Sequence, residues 1–176
     1  MAQRLGHDFA NVQLLRLALV HRSAFAEEQL AESNERLEFL GDSVLGLVIT
    51  DALYRRRSEQ AEGRLARARA ELVDETTLAE AARRIDVGSA LRLGRGEDTS
   101  GGRDKASILA DATEALIGAV YLDGGFEAAR RVVTAQVLLL VLVLLAVGIP
   151  TQPRTPSRPR TPSRPRSLND AGSLAF

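Results

Sequence analysis

Two stretches of this chain are almost free of charge, yet each carries acids. From Leu37 to Thr50 the only charged residues are Glu38 and Asp42, and from Ala106 to Leu122 they are Asp111 and Glu114. The spacing of Leu, Val, Ile and Ala in both stretches predicts helices that are apolar on nearly every side, and such helices are expected to be buried. An unpaired carboxylate in an apolar surrounding costs several kcal/mol, roughly, and calls for a partner. Neither stretch contains a Lys or Arg to provide one.

The spacing sharpens this conflict. Glu35, Glu38 and Asp42 lie at i, i+3 and i+7, which places them within roughly a 60° sector of one helix face. Asp111 and Glu114, at i and i+3, also share a face. Two such stripes facing each other repel, and a divalent cation between them removes the repulsion. The chain has no Cys, and its two His are His7 and His21. Oxygen ligands alone favour hard ions, so Mg²⁺ is expected and Mn²⁺ is its natural substitute. The competing reading pairs these acids with Arg36, Arg67 or Arg69. Four carboxylates in two otherwise uncharged helices favour the metal. A carboxylate-held Mg²⁺ polarises phosphate and activates water, which points to phosphodiester hydrolysis.

The rest of the chain predicts an all-α fold. Val12, Leu15 and Leu19 recur at helical spacing. Asn34 is placed to cap a helix from Glu35 to about Arg56. Shorter helices are expected over Glu62–Glu71 and Thr76–Arg84. A glycine-punctuated loop spans Gly94 to Gly102, and Gly124-Gly125 stops the helix that begins at Ser107. Alternating strand patterns bounded by hairpin turns are missing.

Charge divides the chain in two. Residues 1–134 hold 18 basic and 22 acidic side chains, net −4, and residues 135–176 hold five Arg and one Asp, net +4. The zero net charge of the 176-residue chain is therefore a cancellation. Val137 to Ile149 is nearly unbroken Leu and Val, read as a helical extension in preference to a membrane anchor. Beyond it, Arg154-Thr-Pro-Ser-Arg-Pro is followed directly by a second copy from Arg160. Proline at that density excludes helix, so 150–176 is expected to be a disordered basic tail. The first 20 residues lack a signal-peptide pattern, which suggests a cytoplasmic protein.

The run Asn34-Glu-Arg-Leu-Glu-Phe-Leu-Gly-Asp-Ser-Val-Leu resembles the signature of the ribonuclease III family. The resemblance continues through His21-Arg-Ser, Glu62-Gly, Arg69-Ala-Glu-Leu-Val, Leu93-Gly-Arg-Gly-Glu and Ser100-Gly-Gly-Arg. It ends with Ser107-Ile-Leu-Ala-Asp-Ala-Thr-Glu-Ala-Leu-Ile-Gly-Ala-Val-Tyr-Leu-Asp-Gly-Gly and covers about Leu14 to Val133.

This resemblance implies an all-helical, ribonuclease III-like endonuclease domain at 1–134 that forms a homodimer and cuts double-stranded RNA with Mg²⁺. It implies a metal site of Glu38, Asp111 and Glu114, with Asp42 and Glu114 catalytic. Glu35 and Glu62 match acids of the wider acidic centre. Arg95, Arg103 and Lys105 fall in a segment where RNA could be contacted. His21, which has no acid–base partner in the sequence, is read as structural, and Phe39 and Leu40 as core or dimer contacts.

One departure concerns the tail. Nothing in 135–176 resembles the double-stranded RNA-binding module that typical bacterial members carry, so weak, salt-sensitive substrate binding is expected. Two further readings keep the fold without full activity. One is a non-cleaving RNA-binding or ribosome-associated protein, and the other is a truncated remnant.

Overall fold

The computed structural model describes residues 1–28 and 30–138. The expected disordered tail at 150–176 and most of the apolar segment at 135–149 lie outside the described residues. Within them the fold is all-α: α1 (Ala2–Leu5), α2 (Val12–Ala18), α3 (Arg22–Glu28), α4 (Glu35–Arg56), α5 (Glu62–Leu72), α6 (Glu75–Arg84), α7 (Val87–Ala90), α8 (Arg95–Thr99) and α9 (Ala106–Val133). A 3₁₀ turn at Gly102–Asp104 leads into α9, and a π-helical turn at Thr134–Leu138 follows it. The only extended pairing among the described residues is a single parallel bridge between Val20 and Arg92. No helix among the described residues is long and apolar enough to cross a membrane.

The centre of the fold is the crossing of α4 and α9, and glycine makes it close. A Cβ on Gly41 would lie 1.8 Å from the Glu114 carbonyl oxygen, and one on Gly118 would lie 2.3 Å from that of Leu37. The two backbones thus touch where side chains would normally separate helices by 8–10 Å or so. Leu45, Val48 and Ile49 of α4 and Leu109, Leu116, Ile117 and Val120 of α9 fill the core around the crossing. Each such side chain contributes about 1.5–3 kcal/mol on burial.

Helix α6 covers α9 with Leu78, Ala79, Ala81 and Ala82, all buried. Its N-terminus is closed by Asp74, whose carboxylate accepts from the Thr77 N–H at 2.7 Å. The N-terminal segment is tied to the far end of α9. Asp123 accepts from the backbone N–H groups of Ala10 and Asn11 and lies 2.8 Å from His7 Nε2. Gln136 closes the same end by donating to the carbonyls of Arg4 and Leu5.

Three sequence expectations are adjusted. Asn34 precedes α4 but does not cap it with its side chain. It is buried at 2% exposure, and its backbone N–H donates to the Val20 carbonyl. Gly125 does interrupt α9, with φ 73° and ψ −175°, but helix resumes at once beyond it. That left-handed φ is open to glycine at little cost, so the pair kinks the helix rather than ending it. Finally, α4 is not buried all round: Phe39, Leu47 and Tyr54 are 79%, 57% and 73% exposed.

Candidate active site

The close approach of Gly41 to Glu114 decides where the acids lie. Glu38 and Asp42 flank Gly41 on α4, while Asp111 and Glu114 sit on the facing turns of α9. The four acids expected from sequence are thereby brought to one edge of the helix crossing. They are not in the core: Glu38, Asp111 and Glu114 are half-buried and Asp42 is exposed. The apolar surroundings seen in the sequence belong partly to the open face of α4, which leaves this edge at the surface.

Their electrostatics are those of unrelieved like charge. Burial pushes the Glu114 carboxyl up to about 7, helped by Asp42, Glu38 and Asp111 in that order. Glu38 is also raised, first by burial and then by Asp111, Glu35 and Asp42. Asp111 is raised by burial, with His21 opposing and Glu75 adding to the rise. No ion pair among the described residues involves any of the four. Arg36, the nearest candidate in sequence, pairs instead with Glu32 at 3.6 Å.

The donor set fits a hard divalent cation. It consists of carboxylate oxygens, there is no thiol in the chain, and the ionised forms destabilise each other for want of positive charge. Among the described residues, however, no three His, Asp or Glu side chains converge tightly enough to enclose an ion as they stand.

The other candidate residues fall in different places. Glu35 borders the centre, accepting from Ser33 Oγ at 2.8 Å with Arg22 3.9 Å away. Glu62 does not join it. It lines a groove between α4 and α5 with Thr50, Leu53, Tyr54, Leu65 and Arg69, and Thr50 is about 12 Å along α4 from Asp42. Arg95 is exposed at the start of α8 and makes no ion pair among the described residues. Lys105 pairs with Glu97 at 3.2 Å. Arg103 is largely committed: its guanidinium donates to the carbonyls of Gly88 and Leu91 and to the Asp98 carboxylate.

Sequence reasoning missed Glu75 and Glu97, whose charges reach Asp111 and His21 respectively. Glu75 sits in an ordinary charged stretch, and Glu97 ends the Leu93-Gly-Arg-Gly-Glu motif without a role assigned to it. It also missed Gly41 and Gly118 as the contact that assembles the centre, although both lie in the matched motifs.

A pair of facing helices carrying four carboxylates at one edge of their crossing is the defining feature of this fold's surface, and known proteins narrow its class. The family model described as Ribonuclease-III-like matches residues 11–140. The chain is 56% identical over 135 residues to Ribonuclease 3 of Caldanaerobacter subterraneus subsp. tengcongensis, covering 76% of this chain and 59% of that one. It is 57% identical over 130 residues to Ribonuclease 3 of Streptomyces coelicolor, covering 74% and 47%. The nuclease domain of ribonuclease III from Campylobacter jejuni superimposes with a TM-score of 0.73 at 40% identity, covering 77% of this chain and 92% of that domain. The chain belongs to the ribonuclease-III-like family. It spans about half the length of the relatives it matches, 59% and 47% of the two named.

Proposed function

We propose that this chain is a Mg²⁺-dependent endoribonuclease that hydrolyses double-stranded RNA as a homodimer. The observation that carries the reading is the cluster of Glu38, Asp42, Asp111 and Glu114, which forms no ion pair among the described residues and in which burial first, and the neighbouring acids second, push the Glu114 carboxyl up to about 7. A purely structural cluster would gain nothing from that repulsion.

Glu38, Asp111 and Glu114 are the residues that would hold the ion, with Asp42 exposed one turn further along α4. When bound, Mg²⁺ neutralises phosphate charge and makes a water more acidic; Mn²⁺ has the same coordination preferences. The protein's part is to hold these carboxylates on two touching helices, so that the reacting phosphate meets a fixed arrangement. In the metal-free chain burial and the neighbouring acids push the Glu114 carboxyl up to about 7, a penalty on its ionised form that a bound cation would relieve. Arg95, exposed and unpaired among the described residues, is the strongest candidate for backbone contact with RNA. Lys105 is next, through exchange with its Glu97 pair.

Dimerisation is supported by the open face of α4. Phe39, Leu47 and Tyr54 lie within roughly an 80° sector of that helix. Phe39 adjoins a groove of about 700 Å³ lined by Leu14, Leu17, Leu37, Leu40 and Leu122. Burying these residues against a second copy removes an apolar patch that a lone molecule seldom exposes. Two symmetry-related centres then each cut one strand.

The test is an assay of the purified chain on long double-stranded RNA with Mg²⁺ at low salt, beside Glu114→Ala. Cleavage by the parent alone is the expected result. Binding without cleavage would favour a non-cleaving RNA-binding protein, and equal cleavage by both would remove Glu114 from the chemistry.

A further inference from the structure

The chain from Leu19 to Glu28 is bonded on one side to the approach to α4 and on the other to the approach to α8. The Val20 carbonyl accepts from the Asn34 N–H at 2.8 Å, one residue before α4 begins. The Leu19 carbonyl accepts from the Arg92 N–H at 2.8 Å, and the His21 N–H donates to the Arg92 carbonyl at 3.1 Å. Glu28 of α3 also pairs with the Arg92 guanidinium. One short strap therefore holds both the start of the helix that carries Glu38 and Asp42 and the segment that leads to Arg95.

Two side chains of α3 extend this hold into α8. Ser23 Oγ accepts from the Gly94 N–H at 2.9 Å, and the Glu27 carboxylate accepts from the Arg95 N–H at 2.6 Å. The first backbone N–H groups of a helix have no partner within it. Helix α8 has no side-chain cap of its own, since Gly94 stands at its N-cap, and Glu27 takes that part from another helix. A Cβ on Gly94 would lie 2.6 Å from Glu27 Oε2 and 2.8 Å from the Ser23 carbonyl oxygen. Glycine is what lets the two helices come this close.

On charge alone Glu27 is out of place. It is an acid bonded to the backbone of the cation read as an RNA contact, and a negative charge there repels phosphate. Yet it does not neutralise that cation. No ion pair among the described residues involves the Arg95 guanidinium. The carboxylate is used on the Arg95 backbone, and the side chain is left exposed. A long, flexible side chain reaches only as far as its backbone allows, so fixing the backbone fixes the region the guanidinium can search.

We propose that Glu27 is a positioning residue for substrate: by holding the first turn of α8 against α3 it sets Arg95 at a fixed place relative to the acids of α4, ready to meet the RNA backbone. This rests on the reading that Arg95 contacts RNA. A cation on a loose segment must be ordered when the ligand binds, and that cost is removed when the segment is held beforehand. The strap makes the placement definite, because it is bonded to Arg92 on one side and to Asn34 on the other. The repulsion from Glu27 and the ordering of Arg95 have opposite signs, which makes them separable.

Filter binding of long double-stranded RNA at low salt, with chelator present so that nothing is cut, separates them. The proteins are the parent, Glu27→Ala, Glu27→Gln, Arg95→Ala and the double variant Glu27→Ala with Arg95→Ala. Glutamine keeps an oxygen for the Arg95 N–H and removes the charge, so Glu27→Gln should bind at least as tightly as the parent. Alanine removes both, and Glu27→Ala should bind about threefold more weakly or worse, within the range over which residues of one network couple. In the Arg95→Ala background the same change should cause no further loss, whereas general damage to the fold would act with or without Arg95. Unchanged or tighter binding by Glu27→Ala, equal weakening in the alanine and glutamine variants, or an undiminished loss in the double variant overturns the proposal. If Arg95→Ala binds as the parent does, or the parent binds no RNA, the contact of Arg95 with RNA fails and this role with it. If Arg95→Ala is weakened and Glu27→Ala is not, only the role of Glu27 is removed.

Discussion

The α carbon of Gly41 lies so close to the carbonyl oxygen of Glu114 that a methyl group on it would stand 1.8 Å away. One residue belongs to the helix that carries Glu38 and Asp42, and the other is itself one of the four acids. The contact that packs the fold and the contact that assembles the site are therefore the same.

Gly41→Ala cannot be absorbed by a rotamer change, because the obstacle is backbone. Overpacking of this kind costs about 1–3 kcal/mol or more, and Gly118→Ala, which meets the Leu37 carbonyl, should behave alike. Urea unfolding followed by circular dichroism measures both. A loss under about 1 kcal/mol in Gly41→Ala would show that the helices separate freely.

Glu38, Asp111 and Glu114 bind protons more tightly in the folded chain than in the unfolded one, since all three carboxyls are raised. Between the ordinary value of 4.5 and about 7, Glu114 leaves the native state holding more protons, so its contribution to stability falls as pH rises through that window. Other groups titrate there too, and subtracting the Glu114→Gln profile from that of the parent isolates the effect. The metal-free difference should grow from about pH 5 to about pH 7, in favour of the glutamine variant, and level off above that. A constant difference would contradict the raised carboxyl.

Mg²⁺ acts against that trend. Binding only the folded, ionised centre, it should raise the parent's melting temperature, and more at high pH than at low. Glu114→Gln should lose most of this gain. Thermal scans with Mg²⁺ or with chelator are sufficient, and the same upshift in both proteins would place the ion elsewhere.

Phe39 is 79% exposed and contributes little to the fold of one molecule. Phe39→Asp should therefore leave the unfolding of a monomer within about 0.5 kcal/mol of the parent, yet convert a dimer to monomers in sedimentation. A parent that is monomeric at tens of micromolar, or a variant that stays dimeric, argues against this face.

Arg95 and Arg103 should separate cleanly. Arg95→Ala is expected to weaken RNA binding and lower its salt dependence by about one counterion, with stability unchanged. Arg103→Ala removes the side-chain donor to the Leu91 carbonyl and leaves the Gly88 carbonyl with only the Leu91 N–H, at about 1–3 kcal/mol of stability. Filter binding across a salt series, with melting curves alongside, distinguishes them; reversed behaviour would exchange their roles.

The α4 and α9 acids were legible because charge is conspicuous in an apolar run and helical spacing is regular. Their depth was not: Asp42 is exposed because the adjoining face of α4, with Phe39, Leu47 and Tyr54, is itself uncovered. Hydropathy alone does not distinguish a core face from an open one. Glu62 shares the matched motifs yet lies along a separate groove of the same molecule, a separation set by the turn between α4 and α5. The tie from His21 to Gly94 joins residues 73 positions apart through a serine, and no local pattern announces it.

The bonds from Gln136 to the carbonyls of Arg4 and Leu5 join residues 132 and 131 positions apart. A ribosome makes the chain in one direction, at roughly 5–20 residues per second. The first helix therefore emerges long before the turn that completes it, and Leu5, buried at 3% in the finished domain, must wait for that turn. Closure follows the synthesis of Gln136. Until Gln136 has left the exit tunnel, the nascent chain is a ring with its clasp still missing.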